Sequence, residues 1–298
     1  MTSATPTADC PPGPPWLRAL ARLPLPLLRT AGWLLGAALF AGAVARRRVV
    51  LRNLALCFPH ASRWQRLGWA WSTFVHFGQA LVDRIWLWHA PAALVARRVR
   101  LEGALEALRQ PGPVLVFAPH FVGLDAAWSR LTQAIERPWA GMYTPQVNAR
   151  LDAWVRAGRE RFGRPLTVAR RDGLRGLARV LRDGRAVYLL PDMDFGREAA
   201  VFVPFFGVPA ATVTSLGRLA ALAGAPVVPV IGRLDARGYT VQVLPPLAGF
   251  PAGDEVQDAA RMNAELQRWI ETDPGQYHWL HRRFKTRPVG AADVYRCR

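Results

Sequence analysis

A histidine and an aspartate follow one of the most apolar segments of the chain. Residues 113–118 (PVLVFA) have the composition of a buried strand, and His120 comes directly after the next residue, a proline. A histidine at a strand end that opens onto a helix is well placed for an active site at the mouth of a sheet. Asp125 can reach it if His120 lies in the turn and Asp125 in the first helical turn. Asp125 would then accept a hydrogen bond from the imidazole Nδ1–H and leave Nε2 as a base.

The same spacing also arises where a surface histidine merely precedes a helix-start aspartate. No GxSxG nucleophile motif, Walker A loop or HExxH motif occurs in the sequence. A catalytic His120 would therefore activate a substrate group directly, most simply a hydroxyl. The three cysteines lie far apart without CxxC spacing, so we expect neither a cysteine zinc site nor a disulfide scaffold.

An acidic pair, Asp192 and Asp194, follows a second apolar segment, residues 186–190 (AVYLL). In an extended chain, side chains at i and i+2 point the same way. The pair could bind a metal, orient arginines of a substrate pocket, or belong to an ordinary turn. Because arginine is abundant in this chain, we favour the orientation of arginines. The apolar residues 201–210 (VFVPFFGVPA) that follow lack a helical period, and they would line a lipid slot or form core.

Aromatic and cationic residues alternate in a third motif, residues 276–288 (QYHWLHRRFKTRP). Its cations Arg282, Arg283 and Lys285 could bind phosphates of a substrate near a membrane, where aromatic rings settle. The alternative is a solvated basic surface with no specific ligand.

The charge balance narrows the class of partner. The chain has 39 Lys and Arg residues against 21 Asp and Glu, a formal net charge of +18. Such an excess favours a polyanionic partner: nucleic acid, an anionic membrane surface or a phosphorylated substrate. No nucleic-acid-binding motif is present, and twelve tryptophans favour the membrane surface.

The N-terminal region has the composition of a membrane attachment. Residues 1–15 are rich in proline and predicted to be disordered. Residues 16–45 are predicted to form a membrane anchor helix. Its uncharged part, Thr30–Ala45, covers about 24 Å at 1.5 Å per residue, short of the ~30 Å hydrocarbon core. It could cross with Arg29 snorkelling and local thinning of the bilayer, or lie shallowly in the surface.

The arginines of residues 46–48 follow the apolar stretch at once. Such a cluster stays on the cytoplasmic side, which argues against the alternative of a signal peptide cleaved after residue 45. Every chemical motif lies beyond residue 89, so the first 45 residues are expected to be separable from a folded body.

The remaining residues, 46–298, are predicted to form one domain. Residues 62–89 have a strongly aromatic helical pattern, which suits either a buried packing helix or one that contacts lipid. Short apolar segments then alternate with helical patterns. Strands are predicted at 113–118, 138–143, 186–190, 226–231 and 239–244, and helices at 101–110, 124–135, 147–161, 173–182, 215–222 and 254–272. This alternation predicts an α/β fold with a mixed central sheet flanked by helices.

Taken together, these motifs resemble those of the bacterial lipid A biosynthesis acyltransferases, over nearly the whole chain after about Leu17. Five blocks carry the resemblance, in order and at family-like spacing: APHFVGLD, AGRERFG, LLPDMDFG, VFVPFFGVPAATVT and PGQYHWLHRRFKTRP. The H-x4-D pattern in the first block alone is shared with glycerolipid acyltransferases.

The resemblance implies an α/β acyltransferase domain of the glycerolipid-acyltransferase type with an N-terminal membrane-associated helix. It implies transfer of a fatty acyl chain from acyl carrier protein to a hydroxyl of a lipid A precursor, without metal or other cofactor. His120 and Asp125 match the family's catalytic pair, Arg159 falls in its Gly-Arg block, and Asp192 and Asp194 fall in its acidic block. We take Arg159 as the donor for the oxyanion.

The expected partners are acyl carrier protein, a phosphorylated glycolipid acceptor and an anionic membrane surface, but no nucleic acid. The expected location is the bacterial inner membrane, with the catalytic domain on the cytoplasmic face. One alternative is acylation of a glycerophosphate or another glycolipid. Another is a non-catalytic, basic membrane-binding protein, which would not depend on His120.

Overall fold

The computed structural model describes residues 14–169, 173–198 and 200–296. The predicted disordered segment, residues 1–15, lies outside the described residues apart from its last two. The helices are α1 (Pro15–Leu20), α2 (Leu25–Gly42), α3 (Val44–Cys57), α4 (Arg63–His89), α5 (Ala92–Arg98), α6 (Glu106–Arg109), α7 (Leu124–Ala134), α8 (Ala149–Arg159), α9 (Gly173–Arg182), α10 (Ser215–Ala223) and α11 (Glu255–Thr272). The strands are β1 (Val99–Gly103), β2 (Val114–Phe117), β3 (Trp139–Tyr143), β4 (Leu166–Ala169), β5 (Ala186–Leu189), β6 (Ala200–Phe205), β7 (Val208–Val213), β8 (Val227–Asp235) and β9 (Gly238–Val243).

Seven of the described strands form one mixed sheet in the order β1-β9-β8-β2-β5-β3-β4. The central strand β2 runs parallel to both neighbours, β5 and β8, whereas β8 and β9 are antiparallel. Successive side chains of β2 are buried in hydrophobic clusters on opposite faces of the sheet: Leu115 and Phe117 on one, Val114 and Val116 on the other. The predicted α/β fold with a mixed central sheet flanked by helices is confirmed.

Two strands of this sheet were not predicted from the sequence. Residues 101–110 were expected to form a helix, but their first part belongs to β1, which pairs with β9. Strand β4 pairs with β3 at the far edge. Both strands are short, and pairing with a neighbour rather than a local pattern decides their conformation.

The apolar segment 201–210 forms an antiparallel hairpin of β6 and β7 rather than a lipid slot. Phe206 and Gly207 make its turn with positive φ angles of 51° and 73°. The side chains of Val203, Phe205 and Ala210 are buried. This hairpin is therefore core, the second of the two interpretations.

Helix α4 was predicted with nearly its observed bounds, and its two ends differ in how far their side chains are buried. Ser62 and Gln65 form a capping box at its start. At its C-terminal end the indoles of Trp86 and Trp88 are fully buried, whereas Trp64 near its start is 67% exposed. The packing interpretation thus holds for the C-terminal half, and the N-terminal end leaves aromatic surface uncovered.

The region predicted as a single anchor helix, residues 16–45, is divided into α1, α2 and the first residues of α3. Helix α2 starts directly after Pro24 and tolerates Pro26 because the first turn of a helix needs no amide partner. It is the one helix among the described residues that is long and apolar enough to cross a membrane, judged by length and composition. Its outer face exposes Leu27, Trp33 and Leu34.

The inner face of α2 packs closely on α4. A Cβ atom added at Gly36 would lie 2.5 Å from the carbonyl oxygen of Phe74, so only glycine permits this approach. Arg29, instead of snorkelling, donates to the carbonyl of Gly238 and pairs with Asp83 at 3.1 Å.

The carboxylate of Asp83 is fully buried beneath this contact. It accepts further hydrogen bonds from the Trp86 indole at 2.7 Å and the Tyr239 hydroxyl at 2.8 Å. Burial raises the pKa of Asp83, and the nearby Arg29 guanidinium and these two donors oppose that rise. Helix α2 is therefore joined to α4 and β9 by a buried ion pair, and we expect it to belong to the folded body rather than to be separable.

Arg29→Ala tests this ion pair, because it leaves a buried carboxylate without its cation. Breaking such a pair costs about 3–5 kcal/mol of unfolding free energy. Arg22→Ala, which removes an exposed cation from the same region, is the control and should stay within about 0.5 kcal/mol of the wild type. Thermal or denaturant unfolding in detergent measures both. Equal stability of the two variants would contradict the inferred role of the pair.

Candidate active site

His120 makes its side-chain hydrogen bond to Asp192, not to Asp125. Its Nδ1 lies 2.7 Å from Asp192 Oδ1, and its backbone N–H donates to Asp192 Oδ2 at 2.9 Å. Burial would raise the pKa of Asp192, but the His120 ring and amide outweigh burial and hold that pKa well below its usual range. An ionised carboxylate can only accept, so Nδ1 carries the proton and the neutral ring has its lone pair on Nε2. The predicted contact between His120 and Asp125 is wrong.

The sheet register brings His120 and Asp192 together. Strands β2 and β5 are parallel neighbours in which Phe117 pairs with Leu189. His120 and Asp192 each lie three residues beyond these paired positions, so they share the same register at the carboxyl edge of the sheet. The sequence holds a signal for this arrangement, because each apolar segment is followed by proline and then by the polar residue. Reading the two segments as adjacent parallel strands would have paired these residues.

Asp125 binds two arginines instead. Its Oδ2 accepts from Arg84 at 2.8 and 2.9 Å, and its Oδ1 accepts from Arg159 at 2.9 and 3.0 Å. Burial would raise the pKa of Asp125, but the guanidinium groups of Arg159 and Arg84 prevail and lower it to about 2. Each arginine uses Nε and one terminal nitrogen for Asp125, which leaves the other terminal nitrogen, Nη1, for a ligand. Arg84 lies on α4 and carries no sequence signal that would have identified it.

The C-terminal motif of residues 276–288, here called the tail, completes the site through its backbone and Tyr277. Residues 120–122 and 276–278 pair antiparallel, with His278 N–H donating to His120 O and Val122 N–H donating to Gln276 O, both at 2.9 Å. The Tyr277 hydroxyl donates to Asp192 Oδ2 at 3.0 Å. Asn53 of α3 holds the same segment by donating to the carbonyls of Trp279 and His281.

The other predicted binding residues take different places. Asp194 accepts hydrogen bonds from the backbone and hydroxyl of Thr286 and from Gly196 N–H, so it anchors the tail and orients no arginine. Arg283 is fully buried and donates to Ala211 O, so it is a core residue that cannot reach a phosphate. The side chains of Asp192 and Asp194 have different hydrogen-bond partners, so they do not act as a pair.

Arg282 and Lys285 are exposed on the surface. Neither of them lines the cavity beside His120. The structure therefore separates the three predicted tail cations into one core residue and two surface residues.

A cavity of about 450 Å³ opens beside His120. Helix α4 forms one wall with His76, Phe77 and Arg84, and apolar residues such as Leu124 and Met142 form others. His76 and Arg84 are eight residues apart on one helix, which spaces them about 12 Å along the cavity. A smaller apolar cavity of about 80 Å³ adjoins it and shares Asp125 and Arg159. No cluster of potential metal ligands occurs among the described residues.

The comparisons with known proteins agree with one another. The model of the bacterial lipid A biosynthesis acyltransferase family matches residues 15–286. The lipid A biosynthesis lauroyltransferase of Escherichia coli K12 is 35% identical over 288 residues, which are 94% of this chain and 92% of the relative. The chain belongs to this family.

Two further relatives from Escherichia coli K12 are similar in extent. The lipid A biosynthesis palmitoleoyltransferase is 34% identical over 281 residues, covering 92% of this chain and 90% of the relative. The myristoyltransferase is 32% identical over 264 residues, covering 86% and 81%. The resemblance noted in the sequence is confirmed, and the candidate site described above lies in a chain of the lipid A acyltransferase family.

The geometry predicts that Asp192 contributes more to the rate of acyl transfer than Asp125 does. Asp192→Asn replaces the ionised acceptor with an amide that can hold the wrong imidazole tautomer, which in a comparable His–Asp pair lowers kcat about 10⁴-fold. Asp125→Asn leaves the His120 tautomer intact and loosens Arg84 and Arg159, so we expect a smaller loss, about 10²-fold. Steady-state acyl transfer with both variants measures the difference. A larger loss for Asp125→Asn would contradict this assignment.

Proposed function

We propose that the protein moves a fatty acyl chain from acyl carrier protein to a hydroxyl of a phosphorylated lipid A precursor, without a metal or other cofactor. The observation that carries the proposal is an imidazole with its Nδ1–H on a buried carboxylate and its Nε2 free beside a cavity. This is the arrangement of a general base for a hydroxyl nucleophile. The relatives named above, lipid A biosynthesis acyltransferases for several acyl chains, support the same reaction class.

The reaction follows from these groups. His120 Nε2 takes the proton of the acceptor hydroxyl as its oxygen bonds to the thioester carbonyl carbon. The imidazolium is stabilised by Asp192, which remains ionised. The tetrahedral intermediate then collapses, the carbon–sulfur bond breaks, and the proton passes from His120 to the departing sulfur. The products are an ester and the free thiol of the carrier protein.

The oxyanion of the intermediate needs donors that are already in place. Arg159 is our candidate, as the sequence indicated, and Arg84 joins it. Asp125 fixes both guanidinium groups from behind, and the Nη1 atom of each is left to donate toward the cavity. Removing one donor of this kind typically costs about 3–4 kcal/mol of transition-state stabilisation. Asp125 is therefore proposed to position these arginines, not to contact His120.

The partners are proposed from charge and exposed apolar surface. Acyl carrier protein is the proposed donor, and an acidic carrier would be drawn to a chain of net charge +18. The exposed apolar face of α2 and Trp64 at the start of α4 are proposed to contact the lipid of the bacterial inner membrane. The arginines of residues 46–48 lie at the start of α3, and by the positive-inside bias they support the proposal that the body lies on the cytoplasmic face.

His120→Ala is the direct test of the function. The purified protein in detergent should transfer an acyl chain from acyl carrier protein to a phosphorylated lipid A precursor, and the variant should lose at least 10³-fold in kcat because its base is gone. His60→Ala, an exposed histidine, is the matched control. Added EDTA should not change the rate. Turnover with glycerol 3-phosphate in place of the lipid A precursor would favour the alternative acceptor class, and unchanged turnover of His120→Ala would refute the mechanism.

The surface cations of the tail have a separate test. We propose that Arg282 and Lys285 attract the acceptor phosphates, so the pair Arg282→Glu and Lys285→Glu should raise the acceptor KM several-fold and leave the donor KM unchanged. The same charge change at the exposed Arg175 and Arg179 of α9 is the control. A rise in the KM for carrier protein alone would assign the pair to the donor. Loss of membrane binding with normal kinetics in detergent would make it a membrane contact only.

A further inference from the structure

A second histidine faces the cavity beside His120 and has no role in the proposed reaction. His278 lines the cavity, and the centroid of its ring lies 6.2 Å from that of His120. Among the described residues, its ring nitrogens have no hydrogen-bond partner, and they are not sealed from the cavity. A ring placed in this way is suited to bind something that enters the cavity.

The position of the His278 ring is fixed from three sides. Its backbone N–H donates to His120 O, so a main-chain hydrogen bond joins the two histidines. One side of the ring packs near Phe77 of α4, and the His281 ring stacks on it with an interplanar angle of 6°. The His281 Nδ1–H donates to His278 O, because a carbonyl oxygen can only accept. The ring is thus held before any substrate arrives.

The His278 ring is also neutral. Burial, together with the neighbouring His120 and His281, lowers the pKa of His278 to about 3. A neutral imidazole offers one N–H donor and does not compete with His120 for the hydroxyl proton. A neutral histidine serves as a hydrogen-bond donor in other enzymes for the same reason.

The distance between the two rings fits one oxygen atom. An oxygen that is hydrogen-bonded to both rings requires nitrogens roughly 5 Å apart, since each contact is about 2.8 Å long. Rings with centroids 6.2 Å apart can meet this requirement. The arginines that are proposed to receive the oxyanion are held by Asp125, so they are a separate set of donors from the two rings. In this arrangement the histidines act on the attacking oxygen and the arginines on the carbonyl oxygen, two atoms that become bonded to the same carbon.

We propose that His278 holds the acceptor hydroxyl, donating its ring N–H to the same oxygen whose proton His120 Nε2 accepts. This inference rests on the proposed function and adds a residue to it. With one lone pair engaged by His278 and its proton engaged by His120, the hydroxyl oxygen presents its remaining lone pair to the thioester carbonyl. His278 leaves the atoms and charges of the reaction unchanged, since its N–H stays on its own ring throughout.

His278→Phe tests the inference because it keeps an aromatic ring between Phe77 and His281 but removes the donor. The expected result is a loss of about 10- to 100-fold in kcat/KM for the acceptor, with the KM for the acyl donor unchanged. His278→Asn and His278→Gln restore an N–H at the two possible donor positions, and one of them should recover most of the loss. His60→Phe is the control on the surface, and thermal unfolding should show equal stability of all variants.

Hydrolysis of the acyl donor by water, measured as release of free fatty acid, distinguishes a role of His278 toward the acceptor hydroxyl from a role toward the oxyanion. In the absence of acceptor, other water molecules in the open cavity can replace the hydrogen bond of His278 to an attacking water, so this hydrolysis should stay within about twofold of the wild type in His278→Phe. Hydrolysis that falls in parallel with transfer would show that His278 serves the oxyanion and would overturn the inference. Transfer by His278→Phe at the wild-type rate would overturn it too, while His120→Ala would still test the proposed function. A wild-type protein that transfers no acyl chain would refute the function and this inference together.

Discussion

The buried carboxylate of Asp192 is the interaction on which the arrangement of the site depends. A fully buried ionised carboxylate is stable only if donors surround it. Here the donors come from two distant parts of the chain, the ring and amide of His120 and the hydroxyl of Tyr277. The same contacts therefore fix the loop after β2, the loop after β5 and the C-terminal tail at one point. Misplacing any of the three would leave the carboxylate with an unfilled acceptor.

A second carboxylate, Asp125, organises the cationic side of the cavity. It neutralises one charge of the Arg84 and Arg159 pair and sets the direction of both guanidinium groups. The two carboxylates thus have different roles in the site. In the proposed mechanism, Asp192 sets the tautomer of the base, and Asp125 positions the donors for developing negative charge.

The arginine excess of the chain has a large structural component. Arg283 is buried against the β6–β7 hairpin, and Arg29 joins α2 to α4. Arg137 donates to four carbonyl oxygens, one in α6, two in the loop between α6 and β2 and one in the loop between α9 and β5. The planar guanidinium, with five donors, is suited to such work because it satisfies several carbonyls at once. The net charge therefore overstates the number of cations available to partners, and the tail cations illustrate this: adjacent in sequence, Arg282 is exposed and Arg283 is core.

The sequence by itself determined the α/β class, most of the helices and the central strands, and it singled out His120 as a candidate. These features follow from local periodicity, from short buried apolar segments and from capping residues such as Ser62, all of which act within a few residues of the chain. It also singled out three of the segments that line the cavity, those that contain His120, Arg159 and His278. Edge strands β1 and β4 escaped prediction because their conformation depends on pairing with distant neighbours.

Only the tertiary structure decided which of these residues meet. Asp125 is five residues from His120 in sequence, yet it binds Arg84 and Arg159, whereas Asp192 is 72 residues away and binds the imidazole. The register of two parallel strands sets the second contact, and sequence distance carries no information about register. In the same way, the sequence indicates an isolated apolar helix at α2, and only the structure shows that Asp83 of α4 lies beneath Arg29. Burial and partners of charged side chains are properties of the assembled fold, because the free energy of a charge depends on what surrounds it in space.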